Sequence, residues 1–160
     1  MNTYRSPSAL PEEARQRIAT TLNDRLADGL DLWTQVKVAH WNIKGPHFAA
    51  LHPLFETFAN DLALRNDEIA ERGVTLGGLA YGTARHVSTH SRIAEYPQET
   101  TRDLEHVGLL AERFDTYLTG LRASRTIVDK AGDADTVDLL TETISQFETH
   151  AWFLRASLDT

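Results

Sequence analysis

The sequence contains no cysteine, and its only methionine is the initiator residue. Disulfide bonds and thiolate metal sites are therefore excluded, so any metal bound by the chain must use nitrogen and oxygen ligands. No apolar run approaches the roughly 20 residues that span a membrane. The opening stretch MNTYRSPSALPEEARQ has neither a basic n-region nor an apolar h-region, so we expect a cytoplasmic protein.

Positive charge is also scarce. The chain has 16 Lys and Arg residues against 23 Asp and Glu residues, a formal net charge of −7, which argues against a nucleic-acid surface. Its 160 residues, 41% of them hydrophobic, are enough to bury one core. We expect a single domain over residues 1–160, with residues 1–10 as an N-terminal tail.

Apolar residues recur at steps of three and four in four long segments, which is the pattern of amphipathic helices. The first segment runs from Pro11 to about His40, and the second begins between Phe48 and Leu51 and ends at the Gly77–Gly78 pair. The third runs from about Thr100 to Lys130, and the fourth from about Asp135 to Ser157. Pro53 requires the second helix to begin shortly before it, which places His52 in the first turn. Residues 79 to 98 carry turn signals and leave room for one short helix. The fold class is therefore all-α, a four-helix bundle with a short helix in its long middle connection.

The second helix carries a stripe of possible ligands, formed by His52, Glu56, Asp67 and Glu71. A helix turns 100° per residue, so spacings of 4 and 11 residues bring these side chains to nearly the same face. Pairs at i and i+4 can hold one metal ion, and imidazole with carboxylates suits iron, manganese or zinc. The alternative is a solvated acidic face. Apolar residues beside the stripe favour the metal site, because unpaired charge next to a buried seam is costly.

One chain cannot close this site alone. The midpoints of the His52/Glu56 and Asp67/Glu71 pairs are 15 residues apart, which is about 22 Å along a straight helix. Two copies of the helix packed antiparallel across a two-fold axis would bring each pair against the other pair of its partner, as an isologous dimer allows. The spacing therefore favours a metal centre shared between two subunits.

Two stretches, AHWNIKGPHFAALHPLFE and DEIAERGVTLGG, resemble the signature of the Dps proteins, the miniferritins of starved or stressed bacteria. The resemblance covers most of the chain, including DTVDLL and WFL in the last helix. It implies a ferritin-like bundle and an iron-oxidation centre that holds two iron ions between subunits. The ligands it implies are His40, His52 and Glu56 from one subunit, with Asp67 and Glu71 from a symmetry mate. Glu56 stands where many members have Asp.

The same resemblance implies a function. The protein would act as a ferroxidase, oxidising Fe²⁺ with hydrogen peroxide as the preferred oxidant, and would store the ferric mineral in a dodecameric cage that protects the cell from oxidative stress. Trp41 matches a tryptophan thought to intercept radicals. The alternative for Trp41 is a core aromatic residue at the end of a helix.

Iron also needs a route into such a cage. Asp135, Asp138 and Glu142 fall at helical steps near the start of the last helix, with Asp133 just before them. By resemblance, acids in this region line three-fold pores, where a ring of carboxylates would concentrate cations. The alternative is that these acids only complement the helix dipole.

Two other functions remain open at this point. Some Dps relatives compact DNA through lysine-rich tails, but this N-terminus holds Arg5, Arg15 and Arg17 and no lysine, so DNA binding is expected to be weak or absent and stands as the alternative function. A helical bundle without metal is the third possibility.

A ferritin-type centre inside one bundle is disfavoured. It needs Glu-x-x-His ligand sets, and the comparable pairs here are Asp103/His106 and Glu148/His150. The sequence assigns no role to a further set of histidines: His47, His86, His90, His106 and His150.

Overall fold

The structure, a computed structural model, describes residues 5–158. These residues form five helices and no strand. The helices are α1 (Glu12–Asn42), α2 (Phe48–Thr75), α3 (Ala84–His90), α4 (Asp103–Lys130) and α5 (Ala134–Ala156). Helix α1 packs along α2 and α4, α4 packs along α5, and α3 lies against α1 within the long middle connection. The predicted all-α bundle with one short helix in that connection is confirmed. Within the described range, no helix has the length and apolarity of a membrane span.

Aromatic side chains fill the centre of the bundle. Phe58, Phe114, Phe147 and Tyr117 are fully buried. Phe58 and Phe114 meet edge-on, with ring centroids 5.7 Å apart, and Phe114 lies 5.8 Å from Phe147. Burying each such side chain stabilises the fold by about 1.5–3 kcal/mol. Because these residues come from α2, α4 and α5, their packing sets how the three helices lie against one another.

Helix α2 begins at Phe48, inside the predicted interval. His52 is its fifth residue and therefore lies in the second turn, not in the first as predicted. Pro53 follows it inside the helix, where proline has no N–H to donate to the preceding turn. The helix is continued through Pro53 because Leu51, Phe55 and Phe58 on either side are buried in the core.

Helix α2 ends where Gly77 was expected to stop it. Gly77 has a φ of +92°, a conformation that favours glycine. Its N–H donates to the Val74 carbonyl at 2.8 Å, and the N–H of Gly78 donates to the Gly73 carbonyl at 3.0 Å. This pair of bonds is a Schellman motif, which satisfies carbonyls that the helix leaves free at its end.

The corner between α1 and α2 is clamped by the start of α4. The N–H of Lys44 donates to the Thr101 carbonyl at 2.7 Å, and the N–H of Asp103 donates back to the Lys44 carbonyl at 2.9 Å. The Asp103 carboxylate also accepts the His47 backbone N–H at 2.8 Å and its Nδ1–H at 2.9 Å. These bonds, led by the His47 backbone N–H, lower the pKa of Asp103. Gly45 is required here, because its φ is +139° and a Cβ would lie 2.5 Å from the Asp103 carboxylate.

Residues 5–10 do not form a free tail. The Ser6 hydroxyl donates to the Thr75 carbonyl at 2.7 Å, and Arg15 donates to the carbonyls of Leu76 and Leu10, each at 3.1 Å. This segment therefore covers the C-terminal end of α2. Residues 1–4 of the predicted tail lie outside the described residues.

Asp133 is buried at the corner between α4 and α5, with 3% of its surface exposed. Its carboxylate accepts two hydrogen bonds from Arg72, at 2.9 and 3.0 Å, and caps α5 by accepting from the backbone N–H and hydroxyl of Thr136. Burial raises the pKa of Asp133, but the bonds from Thr136 and Arg72 outweigh it, so the net pKa is lowered. The Asp133 carboxylate is therefore the cap and the counterion of this corner, and these contacts favour a structural role over the predicted pore role.

Replacing Asp133 with alanine removes both the cap and the partner of Arg72. We expect the free energy of unfolding to fall by about 3 kcal/mol, the usual cost of leaving one member of a buried ion pair alone. Because the folded pKa is lowered, this contribution is present above about pH 4, the ordinary range of aspartate, and is lost as the pH falls through the folded pKa. Denaturant unfolding at several pH values measures both effects.

Asp129→Ala provides the control, since Asp129 is an exposed acid in the last turn of α4. Its removal should change the free energy of unfolding by less than about 0.5 kcal/mol. Equal losses in the two variants would contradict the role given to Asp133.

Candidate metal centre

His40 and His52 are joined by two reciprocal hydrogen bonds. The Nδ1–H of His40 donates to the His52 carbonyl at 2.8 Å, and the Nδ1–H of His52 donates to the His40 carbonyl at 3.0 Å. The two rings stack with centroids 3.8 Å apart and planes 22° from parallel. A carbonyl can only accept, so each Nδ1 must carry the proton and each neutral ring keeps its lone pair on Nε2. Both histidines are therefore held in the form that binds a metal ion through Nε2.

The local sequence explains this arrangement. His40 lies in the last turn of α1, where carbonyls have no partner within the helix. The carbonyl of Ala39 accepts the N–H of Ile43, and the next carbonyl, that of His40, receives the His52 ring. Phe48 stacks on the other face of His52, at 4.8 Å. His52 thus supplies a partner for a free carbonyl at the end of α1, and its ring is held between those of His40 and Phe48.

Glu56 lies one turn beyond His52 and adds a carboxylate to the pair. Its Oε2 is 3.3 Å from the Nε2 of His40 and 2.5 Å from the Nζ of Lys37. The hydrogen bond from Lys37 is the main cause of a lowered pKa of Glu56. In this arrangement the ammonium group of Lys37 supplies the positive charge that the acid requires.

Sequence reasoning missed Lys37. The signal that identifies it is its position three residues before His40, on the same face of α1. A lysine so placed reaches any acid that faces His40.

Asp67 and Glu71 are exposed on α2, about four turns beyond the His52/Glu56 pair. Within residues 5–158, their carboxylates have no hydrogen bond or ion pair. At 1.5 Å per residue they lie about 22 Å from the His52/Glu56 pair. One chain does not bring the five predicted ligands together. In the described part of the chain, no three His, Asp or Glu side chains are placed to hold a metal ion.

Trp41 is 66% exposed, so in the single chain it is not a core aromatic residue. The Nζ of Lys37 lies 5.8 Å from the centroid of its ring, within the range of a cation–π contact. The indole therefore lies beside the Lys37–Glu56 pair and remains open to solvent or to another subunit.

The residues considered for a centre inside the bundle have other partners. The Nδ1 atom of His106 is hydrogen-bonded to the Tyr96 hydroxyl at 2.6 Å, and burial lowers the pKa of His106. His150 bonds to Asp61 at 2.8 Å and stacks on Phe58, with centroids 4.3 Å apart. Burial lowers the pKa of His150, against the opposing effect of Asp61. These contacts, with Asp103 in the α1–α2 corner, favour structural roles for this set.

Comparison with known proteins adds an independent line of evidence. The ferritin-like domain family matches residues 19–160. The DNA protection during starvation protein of Agrobacterium fabrum is 36% identical over 156 residues, which cover 98% of this chain and 96% of that protein. DpsC from Streptomyces coelicolor has a TM-score of 0.93 at 31% identity, covering 98% of this chain and 92% of that one.

A third relative carries a chemical description. The Dps protein of Vibrio cholerae O1 is described as a member of a broad superfamily of ferritin-like diiron-carboxylate proteins. Its TM-score is 0.90 at 27% identity, and the match covers 98% of this chain and 99% of that one.

The position of Lys37 predicts how the site responds to a divalent cation. A cation that binds Glu56 must displace the ammonium group, so Lys37→Gln should tighten the binding of Zn²⁺, a probe without redox chemistry. We expect a gain of about fivefold, corresponding to an ion pair worth about 1 kcal/mol. Isothermal titration calorimetry measures it.

Lys44→Gln is the matched control. It removes the same charge from an exposed position on the α1–α2 corner, away from Glu56. If both variants bind Zn²⁺ equally well, the effect is one of net charge, and Lys37 has no specific role at the site.

Proposed function

The chain belongs to the ferritin-like family and, within it, to the Dps proteins, and on this basis we propose that it oxidises Fe²⁺ and stores the ferric product. The observation that carries the proposal is the histidine pair. Its two reciprocal hydrogen bonds leave both Nε2 lone pairs free beside a carboxylate. Neutral imidazole with carboxylate is a donor set that suits ferrous iron.

The site is shared between two subunits in this proposal. His40, His52 and Glu56 of one chain would act with Asp67 and Glu71 of a two-fold partner, giving a position for two iron ions. The exposure of Asp67 and Glu71 and their lack of partners in the described chain support it, because carboxylates left free on a helix face are available to a second subunit. Dodecameric assembly belongs to the same proposal. Exposed apolar residues near the end of α5, namely Trp152, Phe153 and Leu158, are consistent with burial between subunits.

Each residue has a defined task in the reaction. His40 and His52 bind the ferrous substrate through Nε2, because Nδ1 of each ring is engaged with a backbone carbonyl. Glu56, Asp67 and Glu71 balance the charge that increases when Fe²⁺ becomes Fe³⁺. Hydrogen peroxide is the proposed oxidant. Two ferrous ions each give one electron, and with two protons one peroxide becomes two waters, so hydroxyl radical is not released.

Lys37 and Trp41 complete the proposed centre. Lys37 holds Glu56 in the absence of iron and must leave it as iron binds. Trp41, exposed beside this pair, is placed to donate an electron to a stray oxidant and so to act as a radical trap. The cellular role that follows is protection from iron and peroxide in the cytoplasm.

Complementation between two inactive variants tests the shared site. His40→Gln/His52→Gln and Asp67→Asn/Glu71→Gln should each lose fast Fe²⁺ oxidation, because each breaks every site in its own homodimer. If the two are dissociated and reassembled together, half of the dimers are mixed under random pairing, and each has one intact site of two. We expect about a quarter of the wild-type rate by stopped-flow absorbance.

The control is to mix the two variants without dissociating them, which should leave the rate at the level of the parents. A site made within one chain would recover nothing after reassembly either. Reassembled cages of normal size that oxidise iron no faster than the parents would overturn the two-subunit site.

A route for iron is the second part of the proposal. We propose that Asp135, Asp138 and Glu142 attract Fe²⁺ to a pore. The Asp135 and Glu142 side chains are 87% and 71% exposed, so their charge is available to solvent, although Arg72 lies 4.0 Å from Asp135 and Arg65 lies 3.2 Å from Glu142. Asp133 is left out because Arg72 and Thr136 engage its carboxylate.

Neutralising these three acids should slow iron uptake without touching the oxidation centre. The effect should be largest at low ionic strength, where screening is weakest. A charge-matched control is Glu13→Gln/Glu99→Gln/Asp129→Asn, since these acids are exposed elsewhere on the chain. Uptake rates that match this control at low salt would reject the pore assignment.

DNA binding receives little support as the alternative function. Arg15 is engaged with backbone carbonyls, and residues 5–10 lie against α2 instead of extending into solvent. Few phosphates could be neutralised by the arginines that remain near the N-terminus. If the metal-free protein retards DNA in a gel at physiological salt, DNA binding becomes the preferred function.

A further inference from the structure

Helix α3 carries a second pair of histidines, His86 and His90, four residues apart. Their rings stack with centroids 3.8 Å apart and planes 12° from parallel. His90 is exposed and His86 is half-buried, with the Tyr81 ring 5.3 Å from it. The iron centre proposed above does not use this pair.

The protonation of His90 follows from its hydrogen bonds. Its Nδ1 lies 2.8 Å from the His86 carbonyl, which can only accept, so Nδ1 carries the proton. The Thr89 hydroxyl, 2.9 Å from the same nitrogen, shares its one proton between the carbonyls of Arg85 and His86, so its oxygen can accept from Nδ1–H. In neutral His90 the lone pair is therefore on Nε2. The ring of His86 has no hydrogen bond in the described part of the chain, so it too is free to offer a nitrogen.

Two imidazoles at i and i+4 on a helix can bind one cation together. Bonds of about 2.0–2.1 Å from each nitrogen require the two Nε2 atoms to converge. The rings are already in contact across one turn of the helix, which places both ligands within reach of one cation. Water completes the coordination, because α3 offers no third ligand among the described residues.

The ligand chemistry selects the cation. Two imidazoles without a carboxylate favour borderline ions over hard ones, and divalent affinities rise from Mn²⁺ and Fe²⁺ towards Cu²⁺. The α3 pair thus differs from the proposed iron centre, where carboxylates outnumber imidazoles. We propose that His86 and His90 form a separate surface site for a borderline divalent cation, with Cu²⁺ bound most tightly. The proposal does not rest on the iron chemistry.

Copper titration of the assembled protein tests the site. Native protein should bind one more Cu²⁺ per chain than His86→Gln/His90→Gln, and each single variant should lose the same equivalent. His40 and His52 can also take up copper, but they are unchanged in all these proteins, so the difference isolates α3. His47→Gln is the matched control, because His47 is also an exposed histidine but is paired with Asp103. It should bind as much copper as the native protein.

Crystals of the native protein grown with Cu²⁺ provide a second measurement that needs no variant. Anomalous scattering at the copper edge should give a peak bonded to both His86 and His90. The proposal is overturned if the peak is absent at saturating copper. It is equally overturned if the double variant keeps the native number of copper ions, whatever the outcome for iron oxidation.

Discussion

The bonds between the His40 and His52 rings and each other's carbonyls are the contact on which the site depends. They close the end of α1 with a side chain from α2, so the ends of two helices are fixed by the same atoms that determine the tautomers. A bond that is needed for folding therefore also prepares a ligand. Because both Nδ1 atoms are occupied, the neutral rings need no change of tautomer before a cation binds at Nε2.

Much of the fold could be predicted from the sequence, since each long helix has an apolar stripe that only a helix can bury. The short helix and the glycine stop after α2 follow from turn chemistry. His52 was placed one turn early because proline preference describes an isolated helix, whereas α2 is held through Pro53 by the core on both sides. Boundaries set by packing in this way are not visible in local sequence.

The candidate site was predictable only in part. Ligand types and spacing identified the stripe, but the sequence alone does not show the cap made by Asp133 or the ion pair made by Lys37. Asp133 looked like its exposed neighbours because it shares their residue type, while its partner Arg72 is 61 residues away. Lys37 was missed because the acid it meets is 19 residues away on another helix. The five predicted ligands stay a prediction, since in one chain His40, His52 and Glu56 lie about 22 Å from Asp67 and Glu71.

The clamp around Asp103 has a consequence for the order in which the chain can mature. Asp103 closes the α1–α2 corner by bonding to His47, which is 56 residues earlier in the chain. Its carboxylate occupies the space that a side chain at position 45 would need, so glycine is required there. A nascent chain can form α1 and α2 early, since their contacts are close in sequence. The corner that carries His40 and His52 nevertheless lacks its anchoring carboxylate until the first turn of α4 has left the ribosome. The mutual bonds of His40 and His52 need only α1 and α2, so the histidine pair can form before the corner beside it is anchored by Asp103.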